Sequence, residues 1–278
     1  MPFFLHDGRR LAYSEYGEGS HVVVLVHGLL FSQRMQEPLA RALARRGNRV
    51  ITLDVLGHGR SDRPRDLGCY SMPIFAMQML GLLDHLELDE AVVGGTSLGA
   101  NATLELASLA PKRVRGMVIE MPVLDNALMA CALFFTPLMV ALTFGETLMR
   151  GLAAGARMVP SRALPLWSDI LLDVVRQEPG PSSAVLHGLF FGRTAPHRDE
   201  RRTFTQPTLI IGHHRDPVHP FSDAGMLADE LPNARLLEAD SLMELRTSPE
   251  RLTGAIAEFV EECWAVPRVR ARGARARA

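Results

Sequence analysis

Lysine is nearly missing from this chain: of its 30 basic residues, Lys112 alone is not an arginine. That imbalance reads as compositional bias rather than chemistry. Cysteine is scarce as well. Cys69, Cys131 and Cys263 are odd in number and far apart, with no C-x-x-C pair, which excludes a disulfide framework or a zinc site on spacing. No metal and no organic cofactor is implied. A surplus of charge is also lacking: 30 basic against 31 acidic residues leave −1, so there is no overall basic footprint for nucleic acid. The opening MPFFLHDGRR has no apolar core ahead of its charges, so it is not expected to act as a secretory signal, and the expected compartment is the cytosol. Finally, histidine is absent after His219.

The near-neutral total hides one asymmetry. Residues 268–278 carry five Arg and no acid, leaving −6 on the rest, and the segment 267–278 is expected to stay disordered and solvated. Hydrophobic residues at 47% and charged residues at 22% over 278 positions fit one large α/β domain or a domain with an insertion. Residues 127–144 run 18 positions without a charge, the length of a membrane span. Pro137 sits inside the run and strand-like segments flank it, so it is assigned instead to a helix or helix pair over the sheet edge, bent at Pro137.

Short β-branched runs alternate with helical patterns, the mark of a mostly parallel sheet covered on both faces. Strands are predicted at 10–16, 22–26, 49–54, 91–95, 114–119, 207–211 and 234–238. Helices are predicted at 33–46, 72–86, 98–110, 221–231 and 248–264. The rhythm breaks between Ile119 and Pro207, where Met-rich helical sequence reads as an insertion over one end of the sheet. The resulting division is a core of 1–123 and 206–266, with a helical cap at 124–205.

Gly95-Thr96-Ser97-Leu98-Gly99 is a G-x-S-x-G run between an apolar strand and a helix. In that context a sharp turn raises the serine hydroxyl to the carboxyl edge of the sheet, and small neighbours let strand and helix approach. A second strand, Val22 to Val26, ends in His27-Gly28-Leu29-Leu30. A third ends in the Gly-rich turn Asp54 to Asp62, and a fourth, Pro207 to Gly212, leads into His213-His214-Arg215-Asp216-Pro217.

Together these segments resemble the α/β-hydrolase fold superfamily, in its esterase-like form with a helical cap. The resemblance covers nearly the whole chain except the insertion. It implies Ser97 as nucleophile, Asp216 as triad acid, and the backbone N–H groups of Leu29 and Leu98 as oxyanion hole. A serine at the elbow speaks against dehalogenase and epoxide hydrolase chemistry, which needs a carboxylate there.

The pattern breaks at the base. The family's histidine follows the last strand, but here the loop reads Ala239-Asp240-Ser241-Leu242-Met243-Glu244-Leu245-Arg246, with Ser241 or Leu242 at the usual place. Glu244 near that place reads as an exposed or Arg246-paired carboxylate. His27 and His58 belong to loop packing, and His6, His21 and His85 to peripheral segments; His187 and His197 fall in or after the cap. His213, His214 and His219 surround Asp216. Of these His219, held in Pro217-Val218-His219-Pro220, is the candidate general base, and its closeness to Asp216 makes it a geometric question whether one ring reaches both acid and serine. The Met- and Phe-rich cap, uncharged over 126–145, points to a hydrophobic small molecule rather than a phosphate or sugar. The expected function is hydrolysis of a hydrophobic carboxylic ester through an acyl-enzyme. The alternative is a degenerate hydrolase that binds an apolar ligand, or a cofactor-free lyase.

Overall fold

The computed structural model describes residues 2–266; the arginine-rich segment expected to be disordered lies outside the described residues. The strands are β1 (Phe3–His6), β2 (Arg9–Tyr16), β3 (His21–Val26), β4 (Asn48–Leu53), β5 (Ala91–Thr96), β6 (Val114–Glu120), β7 (Thr208–His213) and β8 (Ala234–Ala239). They form one sheet in the order β1-β2-β4-β3-β5-β6-β7-β8. Pairings from β4 to β8 are parallel, and β1–β2 and β2–β4 are antiparallel. This is the mostly parallel, helix-flanked sheet that the sequence predicts. The first strand was not predicted, although its signal is plain: Asp7 and Gly8, at φ 49° and 72°, form the Asp-Gly hairpin turn that joins β1 to β2.

The core helices are α1 (Glu37–Ala44), α2 (Met72–His85), α3 (Leu98–Leu109), α9 (Phe221–Glu230) and α11 (Glu250–Ala265), with the single turn α10 (Glu244–Thr247) before the last. The predicted helix 33–46 begins as a 3-10 turn over Gln33–Gln36 and becomes α-helical only at Glu37, next to Pro38. Alternation along the strands divides the core. Val22, Val24, Val26, Val93 and Ile119 pack with residues of α2, α3 and α9, while Val23, Leu25, Val92, Val118 and Ile211 pack with α1 and α11.

Between β6 and β7 lie α4 (Ala127–Phe144), α5 (Glu146–Arg157), α6 (Leu166–Arg176), α7 (Pro179–Phe190) and α8 (Arg198–Arg201). The uncharged run is one helix, α4, which continues through Pro137 and ends at Gly145. Its start is tied to the core by Asp223 of α9, whose buried carboxylate accepts from the N–H groups of Leu124, Asn126 and Ala127 and from the Asn126 side chain, at 2.7–3.0 Å. Asn101 of α3 holds both ends of the insertion, donating to the carbonyls of Val123 (2.7 Å) and Thr194 (2.8 Å).

Candidate active site

β5 ends at Thr96 and α3 begins at Leu98, so Ser97 is the whole of the turn. Its backbone sits at φ 53°, ψ −108°, a conformation that costs an L-residue on the order of 1–3 kcal/mol. The Ser97 N–H donates to the Glu120 carbonyl (2.9 Å), and its own carbonyl accepts from Asn101 (3.0 Å). A Cβ on Gly95 or on Gly99 would overlap the Val26 carbonyl oxygen, so both positions need glycine for the approach of β3.

His219 lies 2.8 Å from this serine, Nε2 to Oγ, and its Nδ1 is 2.8 Å from Asp216 Oδ2. One ring therefore reaches both partners despite the three-residue spacing. The reason is local. Asp216 Oδ1 accepts from the N–H groups of Val218 (2.8 Å) and His219 (3.0 Å), which curls the chain back over the carboxylate and brings the ring beside it. Both side chains are mostly buried, Asp216 at 4% and His219 at 15% exposure. Burial pushes the Asp216 carboxyl up, but the hydrogen bond and charge of His219, with the two N–H groups, outweigh it and hold it below the usual range.

The neighbouring histidines have other partners. His213 is buried, with Nδ1 at 3.0 Å from the Ser241 carbonyl and Nε2 at 3.5 Å from Glu120. His214 stacks on Phe221 at 3.9 Å and meets Glu238 at 3.1 Å. His27 and His58 are fully buried 4.8 Å apart, each bonded to a loop carbonyl.

Beneath the serine turn lies an ion cluster. Arg246 of α10 makes a bidentate pair with Glu120 at 2.6 and 2.7 Å, and also donates to Thr96 (3.2 Å). Glu244 is neither exposed nor paired with Arg246, the two readings from the sequence: it is buried and pairs with Arg251 at 2.7 Å, while the Arg246 guanidinium is drawn inward beneath the serine turn. Burial raises Glu120, yet the charge and hydrogen bonds of Arg246, with His213 nearby at 3.5 Å, keep it well below the usual carboxylate range. Glu120, Arg246, Asp223 and Asn101 all escape sequence reasoning. Their partners lie 22 to 150 positions away, and none belongs to a local motif.

Ser97, Leu29 and Leu98 share a cavity of about 310 Å³, walled mainly by Met72, Leu128, Phe135, Leu186 and Phe190. Leu98 opens α3, so its N–H belongs to the free first turn. Leu30, at φ 60°, turns the loop that carries Leu29, and its carbonyl accepts from Gln177 of the inserted segment. Cys131 also lines the cavity; burial pushes its thiol up to about 11, with Asp223 and Asp216 adding to the shift, so the sulfur is neutral at ordinary pH. Among the described residues no three His, Cys, Asp or Glu side chains converge to hold a metal ion.

Sheet order, strained serine turn and inserted helices together define an α/β-hydrolase-fold protein. Residues 21–156 match the sequence profile of the alpha/beta hydrolase fold. A putative non-heme haloperoxidase of a Mycobacterium phage is 35% identical over 116 residues, 41% of this chain and 40% of its own length. The chain thus spans less than half of that relative. The putative carbamate hydrolase RutD of Azorhizobium caulinodans is 28% identical over 256 residues, covering 86% of this chain and 90% of that protein. The crystal structure of an enol-lactonase from Burkholderia xenovorans superposes with a TM-score of 0.77 at 22% identity, over 94% of this chain and all of that one.

Proposed function

We propose that the protein is a serine hydrolase of hydrophobic carboxylic esters, with Ser97 as nucleophile, His219 as general base and Asp216 as the acid that orients it. The observation that carries this reading is the continuous chain Ser97 Oγ–His219 Nε2 and His219 Nδ1–Asp216 Oδ2, 2.8 Å at each link. Ser97 donates its proton to Nε2 as the oxygen attacks the ester carbonyl. The N–H groups of Leu29 and Leu98 receive the developing oxyanion, and Asp216 stabilises the imidazolium. The imidazolium then protonates the departing alkoxide, leaving an acyl group on Ser97. Water, deprotonated by the same ring, releases the acid and restores the serine.

The Leu-, Met- and Phe-lined cavity supports an apolar acyl or alkyl group as the part held. A ligand-binding role without turnover drew its motive from the want of a base, and an imidazole 2.8 Å from the Ser97 hydroxyl favours the hydrolase instead. The test is fluorophosphonate labelling alongside hydrolysis of p-nitrophenyl esters. Wild type labels and turns over apolar esters, and Ser97→Ala does neither. An unlabelled, inactive wild type would end the hydrolase reading.

A further inference from the structure

Helix α4 is apolar on every side, which in a water-soluble domain belongs to a helix enclosed by others. It is not enclosed. Its mean hydropathy is 2.1 over 18 residues, yet only Ala127 and Leu142 are buried. Met129, Leu133, Pro137, Val140 and Phe144, spaced four, four, three and four apart, form one exposed stripe, with Met129, Leu133 and Phe144 at 79, 78 and 86%. The stripe continues on α5 with exposed Leu148 and Leu152. Of the 22 large hydrophobic side chains exposed among the described residues, 15 lie between 124 and 205, so the exposure is concentrated on this side of the molecule.

The opposite face of α4 carries Leu128, Cys131, Ala132 and Phe135, which wall the Ser97 cavity. Asp223 fixes the start of the helix to the core. A spanning orientation would take α4 off the cavity and off Asp223, so the helix is placed to lie along an apolar medium rather than cross it.

We propose that the outer face of α4 and α5 docks on a phospholipid bilayer surface, from which an apolar ester enters the cavity beneath α4. The choice of occupant rests on chemistry. The α4 stripe offers no side-chain hydrogen-bond donor or acceptor, whereas a protein partner's interface carries about one hydrogen bond per 100–200 Å². Arg150 and Arg157 on α5 are exposed but engaged within the protein, Arg150 with Glu146 at 2.7 Å and Arg157 with the Arg176 carbonyl at 2.9 Å, so the docking rests on the apolar stripe rather than on charge. Segment 267–278, rich in arginine and poor in large apolar residues, lacks the composition to match an apolar stripe. Only the route of the ester rests on the hydrolase reading.

Co-flotation of the full chain with phosphatidylcholine–phosphatidylglycerol vesicles tests the docking. Wild type floats with the vesicles, and the double variant Leu133→Glu, Phe144→Glu loses about tenfold or more of the bound fraction, while its turnover of a short, water-soluble ester is unchanged. Should the double variant not fold, Phe144→Trp reads the same contact: its added emission shifts to the blue on vesicle addition. A wild type that stays at the bottom of the gradient, a folded double variant that floats equally, or an unshifted Phe144→Trp overturns the proposal. So does a dimer in lipid-free buffer that the double variant abolishes without any flotation, which would assign the face to a second copy. Flotation requires no turnover, so a dead hydrolase that floats counts against the function alone.

Discussion

Asp216 does two jobs with two oxygens: Oδ1 gathers the N–H groups of Val218 and His219, and Oδ2 takes the ring of His219. The first folds the loop and the second orients the imidazole. Asp216→Asn retains an acceptor for the loop but upsets the tautomer that leaves Nε2 free to accept from Ser97. It should lower kcat for p-nitrophenyl butyrate by about 10³–10⁴ with little change in KM. Equal loss in kcat and gain in KM would mean that Asp216 holds the loop alone. At this scale the sequence was informative, because the serine turn and the acid stand in local motifs. That His219 reaches both came from the curl of four residues, which spacing does not reveal.

At the scale of elements, α10 anchors the floor of the site. Arg246 enters from α10 and pairs with Glu120 at the end of β6, directly beneath the turn. Removing one partner of a buried pair leaves the other charge uncompensated, at a cost of about 3–5 kcal/mol. Arg246→Met should therefore lower the urea midpoint at pH 7 sharply, and adding Glu120→Gln should restore part of it. The sign of the pH dependence follows. Glu120 sits below its unfolded value of about 4.3, so its contribution is complete above that pH and is lost as pH falls toward the folded value. The double variant should show a flatter loss of stability below that pH than wild type. An Arg246→Met protein as stable as wild type at pH 7 would remove the cluster from the account. Sequence reasoning had no access to this pair, since 126 positions separate its members and a nearer carboxylate, Glu244, offered itself.

For the whole molecule, strand order brings the pieces together. β3, β5 and β7 end on the same edge of the parallel sheet, so Leu29, Ser97 and the Asp216–His219 loop meet there although they are spread over 190 positions. That much was legible, because alternating apolar runs report parallel strands and motifs mark their ends. The posture of the inserted helices was not. Composition shows that the segment is apolar, but not that Leu128 and Phe135 face the cavity while Leu133 and Phe144 face out. Asp223 sets that posture, and Asp223→Ala strips the acceptor from four donors at the start of α4, each worth about 1–3 kcal/mol if left unmet. Its expected signature is a higher KM for apolar esters with kcat on a short ester largely kept. The central claim, however, is that the base has moved to the loop of the acid. The most direct measurement is kcat for p-nitrophenyl butyrate in His219→Ala beside His214→Ala. The relocated base predicts a fall of about 10²–10⁴ in His219→Ala and a near wild-type rate in His214→Ala. Full activity in His219→Ala would contradict it.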